Sequence, residues 1–207
     1  MKQDTDYEKR ELLISAAKEE FLEKGYNKAS LRSICAKAGV TTGALYFFFE
    51  NKADLFSAIV DGPINELKDL LINHFKDEYV EWSNIESIDE LDLDHEDVSS
   101  AFAKCIYRNY DCYMLLLTGA ENTIYENIVD EFADIIEHSV TDTLAKAIKG
   151  YTFDPFMSHW MAHMTIDSYI HIIKHVNDLN TASKMLYGIT NYVVQGWMSL
   201  ALVKKDN

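Results

Sequence analysis

Apolar residues return every third or fourth position along almost the whole chain, the spacing of one face of an α-helix. Leu13, Ala17 and Phe21 recur every four residues, with Ile14 and Leu22 alongside. Gly25 follows where a left-handed C-cap belongs, so a first helix is expected over 8–24. Ser30 is a good N-cap for a second amphipathic stretch through Leu31, Ile34, Cys35 and Ala38, which Gly39 stops after about two turns. Thr41 and Thr42 offer the next cap. Ala44 to Phe49 is apolar or aromatic at every position; β-propensity permits a strand over Leu45–Phe49, but a place between two capped helices fits a helix better. Asn51 caps a fourth helix through Leu55, Phe56, Ile59 and Val60, and Asp54 in its first turn suits the helix dipole. Pro63, lacking an amide hydrogen, should kink or interrupt that helix.

Further on, residues 77–97 hold ten acids and no Lys or Arg, the best stretch for an exposed connector, although Trp82, Ile88, Leu91 and Leu93 can anchor parts of it. Longer helical patterns follow over 98–118, 121–149, 156–177 and 181–203. Asp154 and Pro155 supply a cap and a first-turn proline, and Asp178 to Thr181 supply the last cap. No alternating strand pattern, internal repeat or low-complexity tract interrupts them. The expected fold is all-α, with a helix-turn-helix head over 1–50, a connecting helix over 51–76 and a second helical domain over 77–207.

The formal net charge of −15 argues at first against a protein that grips phosphates, since that affinity rests on basic charge. The excess is not evenly spread. Residues 1–60 hold nine bases and nine acids, so the whole deficit lies beyond them, and the two regions are expected to face different partners. Cys35, Cys105 and Cys112 are odd in number and widely spaced, which reads as reduced thiols rather than bridges or a zinc site. The start is charged and lacks the apolar core of a signal peptide, and no apolar run is long enough to span a bilayer; a cytoplasmic location with no membrane partner is expected.

Two short helices joined by a tight glycine turn form the helix-turn-helix pattern for reading DNA. The ordered set Ala16, Ala17, Phe21, Gly25, Tyr26, Ser30, Ile34, Ala38, Gly39, Val40, Gly43, Leu45, Tyr46, Phe49, Lys52 and Leu55 resembles closely the N-terminal domain of the TetR (tetracycline repressor) family, over about residues 10–60. The rest of the chain is similar only in length and helical pattern. The residues have physical reasons of their own. Ala38 and Gly39 are small where two helices cross, and Gly39 tolerates a positive φ. Thr41 and Thr42 can cap the recognition helix, donate to phosphate or meet a base edge.

The resemblance implies that Ser30, Thr41, Thr42, Gly43, Tyr46 and Lys52 lie at or near DNA, with Lys28 and Arg32 as backbone contacts. Ser30 is read equally as a cap alone, Gly43 as both structural and close to DNA, and Leu45 and Phe49 as core. Phe47 and Phe48 depart from the polar or aromatic-plus-His residues usual in the family, leaving this helix few groups for hydrogen-bonding base edges; apolar contact with thymine methyls is the expectation. Cys35 replaces a common Ala and reads as a small buried hydrophobe.

For the second domain the resemblance implies ligand binding and a homodimer through the last two helices, which would place two recognition helices about 34 Å apart or a little more. Phe102, Tyr110, Met114, Phe132, Trp160, Met161 and Met164 are the candidate ligand residues, each individually more often core, and collectively an apolar pocket. Acids nearby in sequence, Asp111, Glu121 and Asp167, suggest a hydrophobic cation. His159, His163, Asp167, His171 and His175 recur every four residues, but each step drifts by about 40° on a 3.6-residue helix, so the row cannot face one ion. No metal or other cofactor is expected, and with no recognisable pair of nucleophile and base, no catalysis. The expected function is a transcription regulator, a repressor released from a palindromic operator on double-stranded DNA by a small-molecule effector. The alternative is a DNA-binding protein controlled by a protein partner, or an architectural one.

Overall fold

The computed structural model describes residues 2–205 and is helical nearly throughout. It divides into two compact units: residues up to Asn65 with Asn109–Asn127, and Glu66–Arg108 with the chain from Ile128 onward.

In the first unit α1 (Lys2–Lys28) is broken where glycine predicted it, Gly25 standing at φ 71, ψ 165. Helices α2 (Leu31–Ala38) and α3 (Thr42–Phe48) follow, then α4 (Lys52–Trp82). Asn51 caps α4: its Oδ1 accepts the amides of Ala53 (2.8 Å) and Asp54 (3.0 Å), while the Asp54 carboxylate accepts the Glu50 amide at 2.9 Å. Leu13, Ala17, Phe21, Ile34, Leu45, Leu55, Phe56 and Val60 lose all contact with solvent, and Phe21 meets Phe56 edge to face at 5.2 Å. Complete burial of each large side chain contributes roughly 1.5–3 kcal/mol, so these residues hold α1, α2, α3 and the start of α4 in one arrangement. Pro63 does not interrupt α4.

The patterned stretch 98–118 is two helices, α5 (Glu96–Arg108) and α6 (Tyr110–Gly119), because Asn109 leaves helical geometry at φ −119, ψ 34. Helix α6 packs in the first unit. There Gly119 approaches Gly25 so closely that a Cβ on Gly119 would stand 3.5 Å from the Gly25 Cα and 3.0 Å from Leu115. Stretch 121–149 is also divided. Asn122 adopts a left-handed conformation (φ 61) in a turn, and α7 (Ile128–His138) then passes through a π-helical segment, Ser139–Leu144, into the short α8 (Ala145–Ala147).

In the second unit α9 (Pro155–His175) and α10 (Leu179–Gly196) begin at the predicted caps, Asp154 accepting the Met157 amide and Asp178 the Thr181 amide. Two three-residue strands, β1 (Tyr151–Phe153) and β2 (Leu202–Lys204), pair antiparallel. They are too short to show an alternating pattern. The acidic stretch is only partly a connector: α4 carries its first residues as helix as far as Trp82, which is buried, and Leu91 and Leu93 pack on the core of the second unit.

Candidate nucleic-acid interface and buried cavity

The turn between α2 and α3 is built from caps. The Ser33 amide donates to Ser30 Oγ, a long bond of 3.5 Å. At the other end Gly39 (φ 68, ψ 27) donates to the Ala36 carbonyl, and the Val40 amide to Cys35 O at 3.0 Å, closing the helix as a left-handed glycine permits. Thr41 caps α3 by accepting the Ala44 amide at 3.2 Å. Leu45 and Phe49 anchor α3 in the core, and its other face is bare: Tyr46 is 59% exposed and Phe47 73%. Thr41, Thr42 and Gly43 are exposed in the first turn. A Cβ on Gly43 would meet only Thr41 Oγ1, at an ordinary 3.8 Å, so the head itself does not demand glycine there. Lys28 and Arg32 are exposed, and among the described residues neither is in an ion pair.

Two charged groups hold this surface in place. The Glu20 carboxylate, fully buried, accepts from Lys24 (2.7 Å) and Ser33 Oγ (3.0 Å) and pairs with Lys37 at 3.1 Å, tying α1 to α2. Its pKa falls to about 2, chiefly through Lys24, with Lys37 and Ser33 adding to the effect against the cost of burial. Lys52 directs its ammonium at three backbone carbonyls, Tyr26 (2.7 Å), Ala29 (3.3 Å) and Asn27 (3.4 Å), and lies 4.4 Å from the centre of the Tyr26 ring. An ammonium has three donors, so Lys52 acts here as the lock between the end of α1 and the start of α4.

The second unit contains a partly open apolar cavity of about 100 Å³. Phe102, Val140, Phe153, Val193 and Trp197 form much of its wall; Tyr169 donates to or accepts from Thr190 Oγ1 at 2.6 Å on one side. His74, Glu78 and His95 also line it, and their ligating atoms all lie within 4.8 Å of one another. His95 Nδ1 is 2.9 Å from the Leu93 carbonyl, which can only accept, so Nδ1 carries hydrogen and Nε2 faces Glu78 Oε1 at 3.6 Å. Burial, reinforced by Glu81, Asp92 and Asp77, pushes the Glu78 carboxyl up to about 7, and burial beside His95 brings His74 down to about 4. Glu78 Oε2 and Trp82 Nε1 are buried without a hydrogen-bond partner.

The profile of bacterial regulatory proteins, tetR family, matches residues 13–59, the span from the core of α1 to α4 that contains the whole turn just described. Over this head the chain resembles the tetR family. Over 53 residues it is 49% identical to the HTH-type transcriptional repressor BepR of Brucella suis, covering 26% of this chain and 25% of BepR. To the transposon TetC protein of Escherichia coli it is 40% identical over 90 residues, 40% of this chain and 42% of that one. The chain therefore matches only about a quarter to two-fifths of the length of these relatives. A TetR-like transcriptional regulator from Rhodococcus sp. shares the fold at a TM-score of 0.62, with 15% identity, over 91% of this chain and 96% of its own.

Within the matched head, the exposed Ser30, Arg32, Thr41, Thr42, Gly43 and Tyr46 all lie on α2, α3 and their caps, with Lys28 at the end of α1. The ligand candidates are dispersed instead. Phe102 lines the cavity; Phe132 and the fully buried Met161 pack in the second core; Trp160 and Met164 line an open groove on α9; Tyr110 and Met114 are in the first unit. The cavity is also lined by His74, Glu78, His95, Trp82 and Trp197, which the sequence pattern does not mark as ligand residues. The i, i+4 spacing of His74 and Glu78 in a helix was the available signal. The row on α9 resolves into two ring pairs, His159 with His163 at 4.7 Å and His171 with His175 at 4.3 Å, as the angular drift requires.

Proposed function

We propose that this chain is a homodimeric transcription repressor that reads a palindromic operator with α3 and is released by a small apolar molecule bound in the cavity of the second unit. The observation that carries the reading is the bare face of α3: two aromatic side chains and a threonine-glycine first turn exposed opposite a fully buried anchor, in a domain of the tetR family. Thr42 and Gly43 let the start of α3 approach the duplex. Lys28, Arg32 and the Ser30 hydroxyl meet phosphates, and Tyr46 and Phe47 face the groove. Lys52 contributes its charge to the field and its donors to the geometry of the head.

BepR bears the name of a repressor, which supports that sign of regulation. No helix among the described residues is long and apolar enough to cross a membrane, in keeping with action on DNA in the cytoplasm. Phe156, Trp160, Met185 and Tyr192, all exposed on α9 and α10, give the homodimer its apolar face. Helix α4 carries Leu55 and Phe56 of the head core as well as Leu71, His74 and Glu78 of the cavity wall, so a ligand that prefers one arrangement of α4 shifts the population of DNA-competent heads.

The test is selection of duplexes from a random pool by the full chain. The reading predicts enrichment of inverted repeats with half-sites about one helical turn or somewhat more apart, and fails if no inverted repeat is enriched.

A further inference from the structure

The arrangement of His74, Glu78 and His95 goes beyond an apolar cavity. We propose that these three side chains form a binding site for a divalent transition-metal ion of the zinc type, open on its remaining side to the cavity. His74 and Glu78 are one turn apart on α4, and His95 stands at the start of α5, its carbonyl accepting the Ser99 amide at 3.0 Å. Two imidazole nitrogens and one carboxylate, within 4.8 Å of one another, are the ligand set that zinc takes when it keeps one position open. In a tetrahedral site such donors are about 3.3 Å apart, and Glu78 Oε1 and His95 Nε2 at 3.6 Å already come close to that.

Three independent features point to a cation. Glu78 Oε2 is buried with no partner, an acceptor that a cation satisfies. His95 donates its Nδ1 hydrogen to the Leu93 carbonyl, the outer hydrogen bond that fixes a ligating imidazole with Nε2 free. Asp77, Glu81 and Asp92 lie near enough to act on Glu78, and residues 74–97 hold ten acids against the single base Lys76, so the local field favours positive charge. The site lies wholly in the second unit and does not depend on the DNA-binding reading.

The experiment is titration of the chelator-stripped full chain with Co²⁺ and Zn²⁺, followed by cobalt absorption and thermal melting. The proposal predicts one tight equivalent per chain, a ligand-field spectrum of low coordination number without thiolate charge transfer, and a rise in melting temperature with Zn²⁺. Glu78→Gln and His74→Gln should each weaken binding at least about tenfold. A variant carrying His159→Gln, His163→Gln, His171→Gln and His175→Gln should bind as the unchanged protein does. Melting in chelator shows whether each variant folds, and either of the two single substitutions is sufficient. Absence of a tight equivalent, thiolate charge transfer, or binding lost only with the α9 histidines overturns the proposal.

Discussion

The Cys112 thiol donates to the Ile59 carbonyl at 3.6 Å, and this is the acceptor that Pro63 leaves without its helical partner. In an unbroken helix the amide of residue 63 would bond to the carbonyl of residue 59, and proline has no such amide. Helix α6 supplies the substitute donor, and its neighbour Tyr113 donates to the Pro63 carbonyl at 2.7 Å. Thus α4 passes through a proline without interruption.

Cys112 and Pro63 should therefore be coupled energetically. Cys112→Ala is expected to cost about 1 kcal/mol in the natural background and much less when Pro63→Ala has restored the amide, a coupling of about 0.5–1 kcal/mol in a double-mutant cycle by denaturant unfolding. Strict additivity would show that the thiol does not replace the missing bond.

Glu20 makes the head sensitive to acid. Its folded pKa of about 2 lies below the ordinary 4.5, so between these values the unfolded chain binds more protons. The stability that Glu20 contributes is complete above pH 4.5 and is lost as pH falls toward 2. Glu20→Gln should lower stability at neutral pH by about 1–2 kcal/mol, from weakened charged hydrogen bonds, with the deficit shrinking across that window. Unfolding curves against pH measure both; a deficit that does not change with pH contradicts the assignment.

Phe47 projects an apolar ring where most reading helices carry hydrogen-bonding groups. Apolar contact with thymine methyls then supplies discrimination at one or two positions of the selected duplex. Replacing those thymines by uracil should weaken binding several-fold, as should Phe47→Ala, and the two losses should not add. Anisotropy titrations decide; unchanged affinity on uracil duplexes excludes this contact.

The cavity predicts a separation of binding and response. Val193→Trp places an indole into the space between α10 and its wall. The variant should bind the selected duplex as tightly as the natural chain but lose, by about tenfold or more, the ability of apolar ligands to raise the melting temperature and release DNA. Retention of full ligand response would place the effector elsewhere.

The head was legible in the sequence because its signals are local. Gly25, Ser30, Gly39, Thr41 and Asn51 each end or begin a helix by their own backbone and side-chain chemistry, and the structure places caps or breaks at each of them. The breaks at Asn109 and Asn122 carried no such mark: Asn109 makes no side-chain cap, and apolar periodicity runs on past it. The cavity was harder still. His74, Glu78 and His95 are brought together by tertiary packing across an acidic stretch that reads as solvent-exposed, and the aromatic and sulfur residues with the strongest pocket pattern, Tyr110, Met161 and Trp160, lie in three different environments. Charge separated by segment makes a prediction of its own: a neutral head joined to a strongly acidic remainder should bind DNA modestly, with affinity weakened by salt.

The most direct test is the affinity of the full chain for its selected inverted repeat, measured against substitutions on the bare face of α3 and against salt. Thr42→Ala and Tyr46→Ala should each lower affinity about tenfold without changing the melting temperature, and affinity should fall steadily as salt rises. Equal affinity for the selected and a scrambled duplex, unaffected by either substitution, would contradict the account.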